Sequence, residues 1–157
     1  MYYCICPSPL GEIILGSDGQ ALTGLWFVGQ KYECAGLGQA KENAALPVFE
    51  HTRRWLDAYF AALPTPSLPP LAPAGTEFQQ KVWAELLKVP HGQLKSYGEI
   101  AAAIECKSAR AVGAAVGKNP ISILIPCHRI VGSSGTLTGY AGGIERKKYL
   151  LELENAI

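Results

Sequence analysis

A cysteine, a histidine and an arginine stand together at positions 127–129, directly after the apolar run ISILIP of residues 121–126. The thiolate of a cysteine is a strong nucleophile, and a neighbouring imidazole can accept the thiol proton directly or through one water. If Pro126 opens a helical turn, Cys127 lies at its N-terminus, where the helix dipole favours a thiolate. Cys127 and His128 therefore have the residue types and the spacing that nucleophilic chemistry needs.

The same pair has other interpretations. A free cysteine after an apolar run is often a small residue of the core, in which case His128 has no chemical role. A zinc site needs a tetrahedral set of ligands, and no CxxC or HxxH pattern supplies one. Cys4 and Cys6 point to one face of a predicted strand, but nothing near them completes a site. We therefore expect no metal, and a structural cysteine remains open beside a nucleophile.

The composition is that of a folded chain. Its 157 residues are 48% hydrophobic and 17% charged, which is enough apolar material for one domain or two small ones. No apolar run reaches the roughly 18 residues that a membrane span needs, and the first residues lack the basic region of a signal peptide. We expect a cytoplasmic protein without a membrane partner. Five cysteines without framework spacing predict free thiols.

The net charge of +1 hides an uneven distribution along the chain. Residues 1–79 hold 4 Lys or Arg and 7 Asp or Glu, whereas residues 80–157 hold 10 Lys or Arg and 6 Asp or Glu. A basic half is typical of a region that meets a polyanion such as nucleic acid. Ordinary surface charge explains so small an excess equally well.

The first half of the chain has predicted strands and one helix. Apolar, β-rich runs at residues 13–15 and 22–28 flank the turn signal SDGQ, which predicts a small antiparallel sheet. Apolar residues then recur at helical spacing from Val48 to Leu63. The segment LPTPSLPPLAPAG holds five prolines and cannot form a regular element, so it predicts a boundary between domains at residues 1–72 and 73–157.

The second half is predicted to be mainly helical. Thr76 and Gln79 fit a capping box that begins one helix, a short helix covers residues 97–104, and Ser108 can cap the next. A last helix covers residues 144–153, and residues 121–126 are typical of a buried strand or extended segment. The two short helices around a tight break indicate either a helix-turn-helix or two packed helices without a role in DNA binding.

Longer stretches around Cys127 carry a resemblance to a known family. ISILIPCHRIVGSSG and LTGYAGGIERKKYLL, together with SYGEIA and ARAVGAAVGKNP, closely resemble the O6-alkylguanine-DNA alkyltransferases, which are also called methylated-DNA–protein-cysteine methyltransferases. The resemblance covers residues 76–154 closely and residues 8–30 more weakly. A Pro-Cys-His-Arg core inside such a run is far more specific than an isolated Cys-His pair.

The resemblance implies both a fold and a reaction. The fold is a small α/β N-terminal domain of the ribonuclease-H-like type, made of a sheet and a helix, followed by a mainly α-helical C-terminal domain that contains a helix-turn-helix and the active site. The partner is double-stranded DNA that contains O6-alkylguanine. The protein flips the damaged base out of the duplex and moves the alkyl group irreversibly to its own cysteine, once per molecule. No cofactor is implied, and we expect a monomer.

The family motifs also imply roles for individual residues. Cys127 would be the nucleophile, His128 would take its proton through a water, and Glu154 would orient that histidine. Asn119 would hold the turn that carries the cysteine. Tyr97 would help to rotate the nucleotide and would donate a proton to guanine N3, so that the dealkylated base leaves uncharged.

Further residues would contact the DNA and the flipped base. Arg110 would enter the base stack and fill the gap left by flipping, where a guanidinium plane restores part of the lost stacking. Tyr140, Ala141 and Ile130 would line the alkylguanine pocket. Small residues around Arg110 would let the helix approach the DNA backbone, or would serve close helix packing: Ser108, Ala109, Ala111, Gly113 and Ala114.

Three other functions compete with this one. A relative that binds lesions without repairing them would keep the DNA-binding surface and lack the cysteine, which Cys127 argues against. A Cys-His hydrolase would use the same thiolate with turnover. A DNA-binding module would contain Cys127 only as a structural residue.

Overall fold

A computed structural model describes residues 1–157 and divides the chain into two compact units, Met1–Ala74 and Gly75–Ile157. The first unit combines a sheet with one long helix, and the second is mainly helical. This confirms the predicted fold class of an α/β N-terminal part and a mainly α-helical C-terminal part. No helix has the length and apolar character required to cross a membrane.

The N-terminal unit is built on a four-stranded sheet in the order β3-β2-β1-β4. The strands are β1 (Tyr2–Cys6), β2 (Ile13–Ser17), β3 (Leu22–Phe27) and β4 (Lys41–Glu42). The first three pair antiparallel as predicted, but β4 pairs parallel with β1 and makes the sheet mixed. No strand was predicted at β4 because its two residues are charged and exposed; it pairs with β1 through backbone hydrogen bonds.

One helix, α1 (Pro47–Phe60), packs its apolar stripe in this unit. Its buried residues are those at helical spacing in the sequence: Val48, Phe49, Thr52, Trp55, Leu56 and Tyr59. The helix ends three residues before the predicted limit at Leu63. Ala62 adopts a left-handed conformation with φ of 57°, which turns the chain away and leaves Leu63 61% exposed.

Two glycines of the sheet lie beneath the indole of Trp26. A Cβ placed on Gly24 would lie 1.9 Å from the Trp26 ring, and one placed on Gly16 would lie 3.1 Å from it and 2.9 Å from Leu37 Cδ1. Gly16 and Gly24 are paired across β2 and β3, so the ring crosses both strands. The absence of side chains at these positions therefore lets a large aromatic residue pack flat on the sheet.

The C-terminal unit contains four helices: α2 (Glu77–Leu86), α3 (Tyr97–Ala103), α4 (Ala109–Gly117) and α5 (Ile144–Leu153). The predicted caps of α2 and α4 are present, and α3 has one that was not predicted. Thr76 and Gln79 form the capping box of α2, Ser96 and Glu99 form another at α3, and Ser108 accepts from Ala111 N at α4. All four predicted helices of this half are confirmed.

Two contacts fix the arrangement of these helices. The indole of Trp83 in α2 donates a hydrogen bond to the Ala115 carbonyl of α4 at 2.9 Å, which joins the two helices in the core. Two short parallel strands, β5 (Lys95–Ser96) and β6 (Ile130–Val131), pair directly before Tyr97 and directly after the Cys127 region. The start of α3 therefore lies beside the segment that follows Cys127.

Residues 121–126 do not form the predicted strand. They are buried, but the backbone turns within them, and Ile123 has a φ of 73°. The side chain of Asn119 supplies the hydrogen bonds that a neighbouring strand would have provided, with Nδ2 donating to Ile125 O at 2.8 Å. An apolar run shows burial but not backbone shape, which is why the periodicity could not distinguish a turn from a strand.

We predict that Gly24→Ala destabilises the protein more than Gly16→Ala. The methyl group at Gly24 would overlap the buried Trp26 ring, and overpacking of this kind costs about 1–3 kcal/mol. The methyl group at Gly16 would meet the flexible end of Leu37 at 2.9 Å and the Trp26 ring only at 3.1 Å, so smaller shifts accommodate it. Denaturant unfolding of the two variants measures the difference, and equal losses would contradict the packing described here.

Candidate active site

Cys127 begins a single 3₁₀ turn, Cys127–Arg129, called here the Cys127 turn. Cys127 N donates to Ile125 O at 2.8 Å, and Arg129 N donates to Pro126 O at 3.1 Å. Pro126 is the cap residue before the turn and not its first residue. The turn is therefore too short to supply the helix dipole that was expected to favour a thiolate.

Burial raises the pKa of the Cys127 thiol. The side chain of Asn119 and the positive charge of Lys147 act in the opposite direction and lower it, but burial dominates. The thiol is thus protonated at neutral pH in the free protein and needs a base to become a nucleophile.

His128 is held in a form that can serve as this base. Its Nε2 lies 2.7 Å from Glu154 Oε2, and both side chains are fully buried. Burial lowers the pKa of His128, which keeps the imidazole neutral. Since a carboxylate can only accept, Nε2 carries the hydrogen, and the lone pair is on Nδ1. Nδ1 is buried and has no hydrogen-bond partner, so it is free to take a proton.

Glu154 is the centre of a wider hydrogen-bond network. Besides His128, its carboxylate accepts from Arg129 Nε at 2.8 Å and Nη2 at 3.1 Å, and from Gly92 N at 3.1 Å. Arg129 Nη1 donates in turn to Val89 O at 2.8 Å. This bidentate ion pair balances the buried charge of Glu154 and fixes the oxygen that holds His128. Sequence reasoning noted Arg129 in the motif but gave it no role.

Asn119 lies at the start of the buried turn that leads to Cys127. Its Oδ1 accepts from Ile121 N at 3.0 Å, and its Nδ2 donates to Ile121 O at 3.3 Å and to Ile125 O at 2.8 Å. The side chain therefore joins the end of α4 to the residues just before the thiol. This position matches the role of turn support that the resemblance implied.

Tyr97 is the first residue of α3, and its hydroxyl donates to Thr138 O at 3.1 Å. A Cβ placed on Gly113 would lie 3.7 Å from its ring, so α4 passes close to this tyrosine. Burial raises the pKa of Tyr97, and a negative charge on Cys127 raises it further. Tyr97 thus remains a phenol that can donate a proton.

Tyr140 and Ala141 follow Thr138 in the same loop and are half-buried. Burial raises the pKa of the Tyr140 phenol well above its usual range, and the charge of Cys127 contributes. Ile130, also predicted in the pocket, is fully buried one residue after the Cys127 turn. A charge on Cys127 thus affects the pKa of both tyrosines, and Ile130 directly follows the Cys127 turn. That these residues line one alkylguanine pocket stays a prediction.

Lys147 is the residue that sequence reasoning missed. It is fully buried in α5, and its ammonium donates to backbone carbonyls of Ile130, Thr138 and Gly139. Burial lowers its pKa to about 8. Lys147, Leu150, Leu151 and Glu154 recur at helical spacing and form the buried face of α5, and this spacing was the available signal.

Apart from Tyr97, the predicted DNA-contacting residues lie on α4 or at its N-cap. Arg110 is exposed, Gly113 is half-buried, and the other small residues are exposed: Ser108, Ala109, Ala111 and Ala114. The exposed side chains are accessible to a partner, whereas Gly113 lies against the Tyr97 ring of α3 and thus serves helix packing. No group of three or more His, Cys, Asp or Glu side chains is arranged to hold a metal ion.

Comparison with known proteins gives a consistent result over the whole chain. Residues 77–156 match the model of the 6-O-methylguanine DNA methyltransferase DNA binding domain, and residues 1–73 match that of its ribonuclease-like domain. The chain is 49% identical to the methylated-DNA–protein-cysteine methyltransferase of Mycobacterium leprae over 94% of this chain and 88% of that protein. It is 45% identical to that of Haemophilus influenzae, over 98% of this chain and 86% of that protein.

Solved structures agree with these relatives. A crystal structure of Mycobacterium tuberculosis OGT in complex with DNA superposes with a TM-score of 0.89 at 44% identity, covering 99% of this chain and 94% of that one. The structure of the O6-methylguanine methyltransferase of the same organism gives a TM-score of 0.87 at 46% identity, covering 99% and 93%.

We predict that Glu154→Gln lowers the free energy of unfolding by about 3 kcal/mol, because it leaves the buried Arg129 charge without its partner. Glu152→Gln in the same helix is the matched control, since that carboxylate is exposed and lies 3.9 Å from Lys148. Its loss should be about 0–1 kcal/mol. Chemical denaturation measures both, and similar losses would show that Glu154 is not the centre of the network.

Proposed function

The chain belongs to the 6-O-methylguanine DNA methyltransferase family, and we propose that it transfers the alkyl group of O6-alkylguanine in duplex DNA to Sγ of Cys127. It is a DNA-repair methyltransferase whose acceptor is a cysteine. The assignment of that cysteine, of the residues that assist it and of the alkylated base is our proposal. We expect the protein to act on DNA as a monomer in the cytoplasm.

One observation carries the assignment of Cys127. Among the five free cysteines, it alone adjoins a histidine that is held by a buried carboxylate. Burial raises the thiol pKa values of Cys4 and Cys6, and neither cysteine has a histidine beside it in the sequence. A thiol that is protonated at rest becomes useful only where a proton acceptor is at hand, and Nδ1 of His128 is such an acceptor.

The reaction follows from these groups. The thiol proton passes to Nδ1 of His128, directly or through one water, and Glu154 stabilises the imidazolium that forms. The sulfur attacks the alkyl carbon, the bond from this carbon to O6 breaks, and the electron pair remains on guanine. Tyr97 donates a proton at N3, so the base leaves uncharged. The proton on the His128 imidazolium then returns, directly or through water, to the Tyr97 phenolate. In sum, the alkyl group moves to sulfur and one proton, originally on the thiol, moves to guanine.

DNA is the partner of the C-terminal unit, and α3 and α4 have the lengths and the short connection of a helix-turn-helix. We assign the exposed side of α4 to the DNA backbone, with Arg110 filling the gap left by the flipped nucleotide. Tyr97 lies where α3 begins and packs against Gly113 of α4. The two residues that handle the flipped nucleotide are thus carried by adjacent helices.

The base would occupy the space around Cys127. We assign Tyr140 to the side of the alkyl group, the Ala141 N–H to guanine O6, and the carbonyl groups of Cys127 and Ile130 to the exocyclic amine. Because the contact at Ala141 comes from the backbone, an alanine side chain is sufficient there.

We expect a duplex that bears one O6-methylguanine to add a single methyl group to Cys127. Intact-mass and peptide mass spectrometry measure the adduct and its position. Cys127→Ser should give no adduct and still bind the duplex, and Cys34→Ser in the N-terminal unit should react like the parent.

Each alternative has its own outcome in this experiment. An unmodified parent protein that still binds the duplex would indicate lesion binding without repair. Repeated turnover would indicate a hydrolase, and loss of binding in Cys127→Ser would indicate a structural cysteine.

The role of Arg110 has a separate test. We predict that Arg110→Ala slows transfer from duplex DNA by about tenfold or more, since filling the gap offsets a few kcal/mol of lost stacking. Transfer from an O6-alkylguanine supplied as the free base should be unchanged, because a free base needs no flipping. Arg54→Ala, an exposed arginine of α1, is the control for loss of charge. Equal losses with both substrates would place Arg110 in the chemistry and contradict a role in flipping.

A further inference from the structure

Lys147 is fully buried, and burying a charged lysine is unfavourable in free energy. Its side chain lies within α5 with no exposure, whereas the adjacent Lys148 is 57% exposed and pairs with Glu152. Removing an ammonium from water costs several kcal/mol unless strong contacts replace the lost hydration. The ammonium of Lys147 forms no ion pair with a carboxylate. The free energy that offsets the lost hydration must therefore come from the groups that the ammonium does contact.

These groups are three backbone carbonyls from two separate segments. One is Ile130, directly after the Cys127 turn. The others are Thr138 at 2.8 Å and Gly139 at 3.3 Å, directly before Tyr140. The Thr138 carbonyl also accepts from the Tyr97 hydroxyl at 3.1 Å. One ammonium thus connects the segment of the thiol, the loop of Tyr140 and, through a shared carbonyl, the phenol of Tyr97.

The ammonium persists at neutral pH. Burial lowers the pKa of Lys147 only to about 8, so the side chain keeps its charge and its three donors at pH 7. This charge also reaches the reacting group, because it lowers the pKa of the Cys127 thiol and that of His128. The hydrogen bonds of the Lys147 ammonium and its charge therefore both affect the Cys127 thiol.

We propose that Lys147 is a positioning residue of the alkyl transfer, whose ammonium holds the segment of the Cys127 turn and residues 138–140 at a fixed spacing. The proposal rests on the proposed function and adds to it a residue to which that function assigns no contact with DNA or base. This role explains why a charged residue stands at a site where burial of an apolar side chain would require less free energy. It also assigns a part to α5 beyond carrying Glu154.

Lys147→Met tests the proposal, because methionine fills a similar volume and removes the charge and the donors. Lys148→Met, one residue further along α5, is the matched control. Single-turnover transfer from the O6-methylguanine duplex gives the limiting rate constant, and titration with unmodified duplex gives Kd. We expect the rate constant of Lys147→Met to fall about tenfold or more through misplacement of the reacting groups. We expect Kd to change by about twofold at most, and Lys148→Met to match the parent in both quantities.

A second measurement separates positioning from mere loss of structure. Peptide mass spectrometry follows the alkylation of Cys127 by iodoacetamide as a function of pH. The groups whose protonation or hydrogen bonding is coupled to this thiol are Asn119, Lys147, Tyr97 and Tyr140, and His128 is its neighbour in the sequence. Removing a positive charge raises the thiol pKa and moves the profile to higher pH. Loosening the fold would relieve burial and move it to lower pH, because burial is what raises this pKa.

Lys147→Arg covers the case in which the methionine variant does not fold. Arginine keeps the charge and has enough donors for three carbonyls, so a folded variant should keep the parent's thiol profile and react faster than Lys147→Met. Three outcomes would overturn the proposal. The first is a rate constant of Lys147→Met equal to that of the parent, and the second is a thiol profile of Lys147→Met moved to lower pH. The third is a folded Lys147→Arg whose thiol profile is moved to higher pH. An absence of any adduct on the parent itself would instead overturn the proposed function.

Discussion

The site depends on the hydrogen bonds accepted by the carboxylate of Glu154, which is buried at the end of α5. It accepts from an imidazole, a guanidinium and a backbone N–H, and these donors belong to the Cys127 turn and to the segment after α2. A buried carboxylate is tolerated only when its charge and lone pairs are satisfied, and here each donor satisfies it from a fixed direction. Because His128 and Arg129 are adjacent, one carboxylate determines the orientation of the whole turn. The direction of the thiol follows from this constraint.

The site also shows how a fold can keep a reactive group inactive until it is needed. Burial opposes the charged forms of Cys127 and His128 alike, so in the free protein the pair is neutral. Asn119 and Lys147 act against burial at the sulfur without overcoming it. The result is a thiol that is protonated in the free protein and needs a base before it can attack. This balance suits a protein that can react only once.

The sequence was most informative where local rules decide the structure. The caps at Thr76 and Ser108 and the stripe on α1 follow from hydrogen bonding and helical periodicity, and each is present. The strand expected at residues 121–126 was wrong because burial alone does not determine backbone shape. The contacts of Arg129 with Glu154 and of Lys147 with Ile130 span 25 and 17 positions, and no local pattern encodes such distances. Glu154 itself was found only through the family resemblance.

The hydrogen bond from Trp83 to Ala115 has an optical consequence. The other two tryptophans, Trp26 and Trp55, belong to the N-terminal unit, so Trp83 is the only indole in the unit that carries the thiol. Its N–H donates a hydrogen bond to a carbonyl of α4. We assign the exposed side of this helix to DNA. Because a helix is only about 10 Å across, the indole lies close to that side. Any displacement of α4 changes the field on this indole and hence its emission. The protein thus contains its own fluorescent reporter for the helix that meets the duplex, without an added label.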